Sequence, residues 1–355
     1  NVRIMKIKLK VENYNLDLTF KPSFLSSLYL KRNSSEWTKV AGHLAFKLTI
    51  KQVDNETLIV ESESGLTYEA LYRRVLFETG LYKPPYEDLI KNLPSKVEPQ
   101  VEALAEIYKG VRLPYAPLDF KYILVAATLS KRVNYEKVIG WCRAIWEKTN
   151  GRLDLITKLT RKELRKIGGS YQIFQLQKTV KDFLNLSKYL HEKVKYLIGE
   201  PYVPPEEFIL WLPSELARLT LIKGCWGIGP KIADSIILTT FKSTNTIPCD
   251  THMKTVAIRL GFVDYAVMPE KRFCSKFLCD YKASLIFNIP LCPKAERSLC
   301  LKTKLNYFKE LGGWIQTLIY LHGKKFCKVN KPLCKICPIK KECSWEEKRE
   351  NNFPT

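Results

Sequence analysis

The stretch Leu219-Thr-Leu-Ile-Lys-Gly-Cys-Trp-Gly-Ile-Gly-Pro-Lys-Ile-Ala-Asp-Ser-Ile-Ile-Leu238 decides how the chain is read. Apolar residues at helical spacing run into a turn carrying Gly224, Gly227 and Gly229. A second helix then starts with Pro230 at its first position, where the missing N–H costs nothing. The glycines let backbone N–H groups of the turn, and of the new helix N-terminus, approach a phosphate closely. A plain αα-hairpin turn would use the same glycines, so at this point both readings stand.

Working outward, Ile247-Pro-Cys-Asp-Thr-His252 opens another helix and puts Asp250 19 residues after Lys231. A base must leave the stack before a side chain can reach its sugar. Breaking the N-glycosidic bond leaves positive charge on that sugar, which a fixed carboxylate such as Asp250 can stabilise. A neutral lysine amine can attack C1′, and the imine so formed permits β-elimination of the 3′ phosphate. Desolvation at a positive helix N-terminus would favour the neutral amine of Lys231. Plainer roles exist for each residue: Asp250 suits a helix N-cap, Lys231 a phosphate contact, and His252 a phosphate contact or a solvated surface position.

The hairpin followed by a Pro-containing loop and Asp250 resembles the helix–hairpin–helix DNA glycosylase superfamily, over about residues 112–323. The resemblance implies Lys231 and Asp250 as catalytic residues and Gly227, Gly229 and His252 as DNA contacts. Lys109-Gly-Val-Arg-Leu113, Leu164-Arg-Lys-Ile-Gly-Gly-Ser-Tyr171 and Gly313-Trp-Ile-Gln-Thr-Leu-Ile-Tyr320 are similar to the 8-oxoguanine DNA glycosylases, as is the Lys-to-Asp interval. That branch implies Gln316 on the Watson–Crick edge of a flipped base, Tyr320 on its face and Ser235 beside the nucleophile. It implies Tyr171 as a wedge in the duplex. Gln316 and Tyr320 lie four apart and also suit the buried face of a helix. Two departures bear on the substrate. Phe24 stands where the family has a glycine whose carbonyl reads 8-oxoguanine, and Ser130 is followed by Lys131 and Arg132 rather than Asn or Gln. Lys131 is therefore taken as a less selective DNA contact. An oxidised pyrimidine is the alternative substrate, with an alkylated or deaminated base after it. A monofunctional glycosylase or a non-catalytic DNA-binding module also fits the motifs.

Cys327, Cys334, Cys337 and Cys343 have the pattern C-x6-C-x2-C-x5-C. Four such thiolates can enclose zinc or an iron–sulfur cluster, and the spacing does not choose. Leu321-His-Gly-x3-Cys leading into this spacing resembles the loop of endonuclease III, which implies a [4Fe-4S] cluster on these four residues. Lys324, Lys325, Lys328, Lys331 and Lys335 imply that the loop also meets phosphates. Cys274, Cys279, Cys292 and Cys300 align with no site.

Composition sets the frame. With 58 Lys and Arg against 36 acidic residues, the net charge of +22 favours a polyanion, here double-stranded DNA containing a damaged base. No apolar run approaches the roughly 20 residues of a membrane span, and no signal peptide is legible. The expectation is an intracellular protein of the cytoplasm or nucleoid of a prokaryote, acting as a monomer, with Met5 a candidate natural start. Only three Met among many Lys and Ile lean towards a thermophile. Period-2 runs at 7–11, 16–20, 45–50 and 57–60 predict antiparallel strands. Helical periodicity predicts helices at 67–79, 98–109, 117–129, 135–148, 171–195, 213–222, 230–241, 251–260 and 303–321. The fold class expected is mainly α. It comprises a small N-terminal antiparallel β-sheet (α/β) domain over 1–110, a helical domain over 111–323, and a cluster loop and tail over 324–355.

Overall fold

Alternation in the first residues is realised as sheet. In a computed structural model that describes residues 4–198 and 204–345, Ile7 and Leu9 of β1 (Met5–Lys10) are buried while Lys6, Lys8 and Lys10 face solvent. With β2 (Tyr29–Asn33), β3 (Glu36–Lys39), β4 (Leu48–Asp54) and β5 (Thr57–Ser62) it forms an antiparallel sheet of order β1-β5-β4-β3-β2. Ile7 and Ile50 both pair with Val60, so one face of three strands is apolar.

One expected strand is a helical turn. Asn15 caps Leu16–Phe20 by accepting the Leu18 N–H at 2.9 Å. Leu16, Thr19 and Phe20 are then buried at i, i+3 and i+4, whereas a strand would have buried Leu18. The outward Asp17 accepts from Trp37 Nε1 and pairs with Lys31, which ties this turn to the sheet. The expected strand at 45–50 starts only at Leu48.

Most of the expected helices form, with Tyr68–Thr79, Glu98–Ile107, Phe120–Leu129 and Tyr135–Thr149 within a few residues of their predicted bounds. The predicted helix at 303–321 is divided. Lys309 has φ +50°, and the continuous helix runs from Gly312 to Lys325. Gly313 fixes the start of this helix: its N–H donates to the Thr244 carbonyl at 2.8 Å, and a Cβ there would meet Leu238 Cδ1 at 2.4 Å. No helix of the described residues is long and apolar enough to cross a membrane.

Two apolar cores result. The first joins the sheet to the long helix Tyr171–Ile198 and takes Ile232, Ala233, Ile236 and Ile237 from the helix that carries Lys231. The second takes Met253, Val256 and Ala257 from the helix that follows Asp250, and Trp314, Ile315, Leu318 and Ile319 from Gly312–Lys325. Between sheet and helices lies a buried charge network. Lys39 Nζ donates to Glu78 and Asp119 at 2.7 and 2.6 Å, and Arg74 bonds the same two carboxylates. Lys39, Glu78 and Asp119 are fully enclosed, and two cations balance two anions.

Candidate active site

The cleft where the two cores meet holds a cavity of about 900 Å³. Lys231 enters it from the first core, on the first turn of helix Pro230–Thr240. Asp250 enters from the second, as N-cap of helix Thr251–Arg259. Its two oxygens divide the work. Oδ1 accepts the Met253 N–H at 2.8 Å, and Oδ2 lies 3.6 Å from Lys231 Nζ. The cap and the low exposure of this side chain, 11%, hold the carboxylate facing the amine. The desolvation expected for Lys231 is incomplete, its side chain being 43% exposed.

The hairpin before Lys231 is braced from behind. Thr179 Oγ1 donates to the Trp226 carbonyl at 2.8 Å, Lys271 Nζ donates to the Cys225 carbonyl at 2.9 Å, and the Trp226 N–H donates to Asp182. Gly227 takes φ +78°, a left-handed conformation that other residues adopt at a cost. Gly229 has an ordinary negative φ, yet a Cβ there would meet nothing within 4 Å. Among the described residues the N–H groups of Gly227 and Gly229 find no acceptor in the protein. The turn thus offers free donors and open space beside a helix N-terminus, an arrangement that suits a phosphate.

The wall opposite comes from Gly312–Lys325. Gln316, Tyr320 and Lys324 stand on one face at four-residue spacing, all lining the cavity. Gln316 is half-buried and its amide has no partner among the described residues. Tyr320 meets the His252 ring edge-on at 6.0 Å, and Lys324 Nζ lies 5.5 Å from the Tyr320 ring. His252 Nδ1 is buried without a partner. Ser235 also lines the cavity, but its hydroxyl donates to the Lys231 carbonyl at 2.9 Å, which makes it a brace of the lysine turn. Tyr171 stands half-exposed at the rim. All ten cleft residues singled out from sequence therefore border one space: Lys231, Asp250, Gln316, Tyr320, Ser235, Gly227, Gly229, His252, Tyr171 and Lys131.

Phe24 also lines the cavity, edge-on to Tyr135 at 5.3 Å, and its carbonyl accepts the Ser27 hydroxyl at 2.7 Å. Sequence reading assigns no role to Trp226, Lys178 or Tyr135. Trp226 is 41% exposed, with the amines of Lys131 and Lys178 each 5.8 Å from its ring. Burial, and then Lys271, push the Lys131 amine below the usual lysine range. An aromatic residue between two turn glycines was the available signal.

Cys327, Cys334, Cys337 and Cys343 border a separate small cavity with Leu260, Phe326 and Ile339. Arg259 clamps this loop by donating to the carbonyls of Lys328 and Val329 at 2.8 Å and to Cys327 Sγ at 3.4 Å. Among the described residues no group of three or more His, Cys, Asp or Glu side chains is placed to hold a metal ion. The four cysteines nonetheless line that one cavity, and four thiols are the donor set that zinc or an iron–sulfur cluster takes.

No protein-family model matches this chain. Two curated relatives are both named Endonuclease III. One, from Sulfolobus acidocaldarius, is 29% identical over 119 residues, which are 34% of this chain and 41% of that protein. The other, from Buchnera aphidicola, is 26% identical over 206 residues, 55% of this chain and 82% of that protein. The match to the first relative thus spans under half of its length. Among solved structures, the Clostridium acetobutylicum 8-oxoguanine glycosylase/lyase, in complex with double-stranded DNA containing cytosine opposite 8-oxoG, superposes with a TM-score of 0.60. The alignment is 17% identical and covers 91% of this chain and 98% of that one, a likeness of fold.

Proposed function

We propose that this chain, which has the helix–hairpin–helix DNA glycosylase fold, is a bifunctional DNA glycosylase/lyase of base excision repair acting as a monomer on double-stranded DNA. The observation that carries the reading is the amine of Lys231, 3.6 Å from a carboxylate held still by its own helix cap, at a cavity large enough for a nucleotide. In this reading the 1–110 domain lines the cavity through Phe24, the 111–323 domain supplies the catalytic pair, and the 324–355 loop meets phosphates.

The residues divide the chemistry. Free N–H groups at Gly227 and Gly229 hold a phosphate, with Lys131 and His252 near the backbone and Tyr171 beside the vacated position. The flipped base enters between Tyr320 and the opposite wall, where the unpartnered Gln316 amide meets its hydrogen-bonding edge. DNA covers the exposed flank of Lys231 and removes water from it. Asp250 stabilises the sugar cation as the glycosidic bond breaks, the Lys231 amine bonds to C1′, and the imine allows loss of the 3′ phosphate.

We assign 8-oxoguanine as the favoured oxidised base on the three sequence likenesses quoted above. A second reading, an oxidised pyrimidine, is favoured by Phe24, whose ring takes up space in the cavity and whose carbonyl is already bonded to Ser27. A [4Fe-4S] cluster on Cys327, Cys334, Cys337 and Cys343 would staple the loop that Arg259 clamps. When bound it supplies structure and places Lys324 and its neighbours towards DNA. Base release from duplexes carrying 8-oxoguanine or thymine glycol tests the function: the wild type should release one of them and Asp250→Asn neither. Equal release by Asp250→Asn would overturn the assignment.

A further inference from the structure

Behind the lysine helix lies a second cavity of about 550 Å³, lined by Arg218, Ile237, Cys279 and Lys302 among others. Its base is a buried charge cluster. Arg218 donates to Asp234 at 2.7 and 3.2 Å, and Lys302 Nζ donates to the same carboxylate at 2.8 Å. Asp234 is fully buried, one residue from Ser235 on the lysine helix. Two cations therefore share one carboxylate, leaving one positive charge in excess. The other acids of the cavity are engaged elsewhere: Glu215 with the Ser214 hydroxyl, Asp280 with the Ala283 N–H, and Glu310 with Lys83.

Two thiols face this excess charge. Cys274, buried at the end of the short helix Lys271–Cys274, accepts from Arg218 Nη2 at 3.7 Å. Cys279 is partly exposed and lines the cavity. The segment between them is short, and Leu278 is pinned to Leu291 by an isolated bridge.

We propose that Cys279 is a peroxide-reactive thiolate and that Cys274 is its resolving partner. An accessible thiolate beside cations, backed by a buried thiol, is the arrangement that redox-reactive cysteines require. The neighbouring Cys274 thiol, and then Arg218 and Lys302, bring the Cys279 thiol down to about 6 although burial opposes it, and the same pairing and burial push Cys274 up. The Cys279 thiolate attacks a hydroperoxide: the S–O bond forms, the O–O bond breaks, and alcohol or water leaves after taking a proton. The Cys274 sulfur then attacks the sulfenic acid: the S–S bond forms, the S–O bond breaks, and water carries off the Cys274 proton. The two thiols give two electrons to the peroxide. Disulfide formation removes the anion that balances Arg218 and Lys302 behind the helix of Lys231.

The test treats the reduced full chain with hydrogen peroxide, alkylates it without unfolding and maps the peptides by mass. The expected product is a dithiothreitol-reversible Cys274–Cys279 link, and in Cys274→Ser a sulfenic acid at Cys279 trapped by dimedone. Cys279 alkylation should change by less than about twofold between pH 8 and 6.5, where a thiol of ordinary pKa slows roughly 25-fold. Both cysteines still free after peroxide, a link from Cys279 to Cys292 or Cys300, or stoichiometric zinc protecting Cys274 and Cys279 would each overturn the proposal. So would a 25-fold fall in the alkylation rate.

Discussion

Consider Gly229→Ala beside Gly227→Ala. At Gly229 the backbone is extended and the new methyl would point into open space, so the free protein should not resist it. Lower entropy of the unfolded chain favours folding by about 0.4–1 kcal/mol, but Gly229 is the N-cap of Pro230–Thr240, where alanine caps less well, so the net change should stay within about 1 kcal/mol. At Gly227 the left-handed φ of +78° costs roughly 1–2 kcal/mol, and the methyl would press on Lys131 Nζ and Thr179 Oγ1 at 2.9 and 3.0 Å. Gly227→Ala should therefore destabilise clearly more than Gly229→Ala. For DNA they share a sign, because a methyl at Gly229 occupies the space left for a phosphate and separates it from the free N–H. Losing one charge-assisted hydrogen bond of about 1.5–3 kcal/mol weakens binding roughly 10- to 150-fold. Urea unfolding gives the stabilities, and anisotropy on a duplex with an uncleavable abasic analogue gives Kd at one salt concentration. An unchanged Kd in Gly229→Ala would refute the phosphate site, and destabilisation beyond about 1 kcal/mol would refute the open space.

Other outcomes follow from the same geometry. Lys39→Met leaves Arg74 as the remaining cation paired with Glu78 and Asp119 and should destabilise by about 3–5 kcal/mol in urea. Despite burial, which opposes ionisation, Lys39 and Arg74 hold the Glu78 carboxyl below its ordinary value of 4.5. Its contribution is therefore complete above about pH 4.5 and is lost as pH falls further, so acid unfolding of Lys39→Met should be less steep. Lys131→Ala and Lys178→Ala should each lower the slope of log Kd against log salt by about 1, measured by the same anisotropy assay. Cys334→Ser should lose iron and visible colour by elemental analysis and absorbance; zinc in a colourless wild type would contradict the cluster.

The helical half of the fold is legible because long apolar periods survive in single sequence: Tyr135–Thr149 and Tyr171–Ile198 each span several turns. The sheet is less so. Lys39 reads as a solvent position, yet it is fully buried because two carboxylates distant in sequence neutralise it. Leu16–Phe20 alternates in sequence, and the Asn15 cap together with the fit of Phe20 against Tyr29 and Trp37 decides for helix. Four-residue helices such as Lys271–Cys274 and Leu301–Lys304 are too short to show a period at all. The cleft residues were readable because the hairpin glycines, Pro230 and the Asp250 cap are local signals. Trp226 between its two lysines was not, since Lys131, in the turn after Phe120–Leu129, and Lys178, in Tyr171–Ile198, are distant in sequence.

The central claim is that the Lys231 amine becomes covalently joined to the sugar while Asp250 supports it. Borohydride trapping on duplexes containing 8-oxoguanine or thymine glycol tests this directly, with Lys231→Gln alongside. A trapped adduct in the wild type that is absent in Lys231→Gln is the expected result, and the lesion that yields it names the substrate. An adduct of equal yield in Lys231→Gln, or none on either lesion despite base release, would contradict the lysine mechanism.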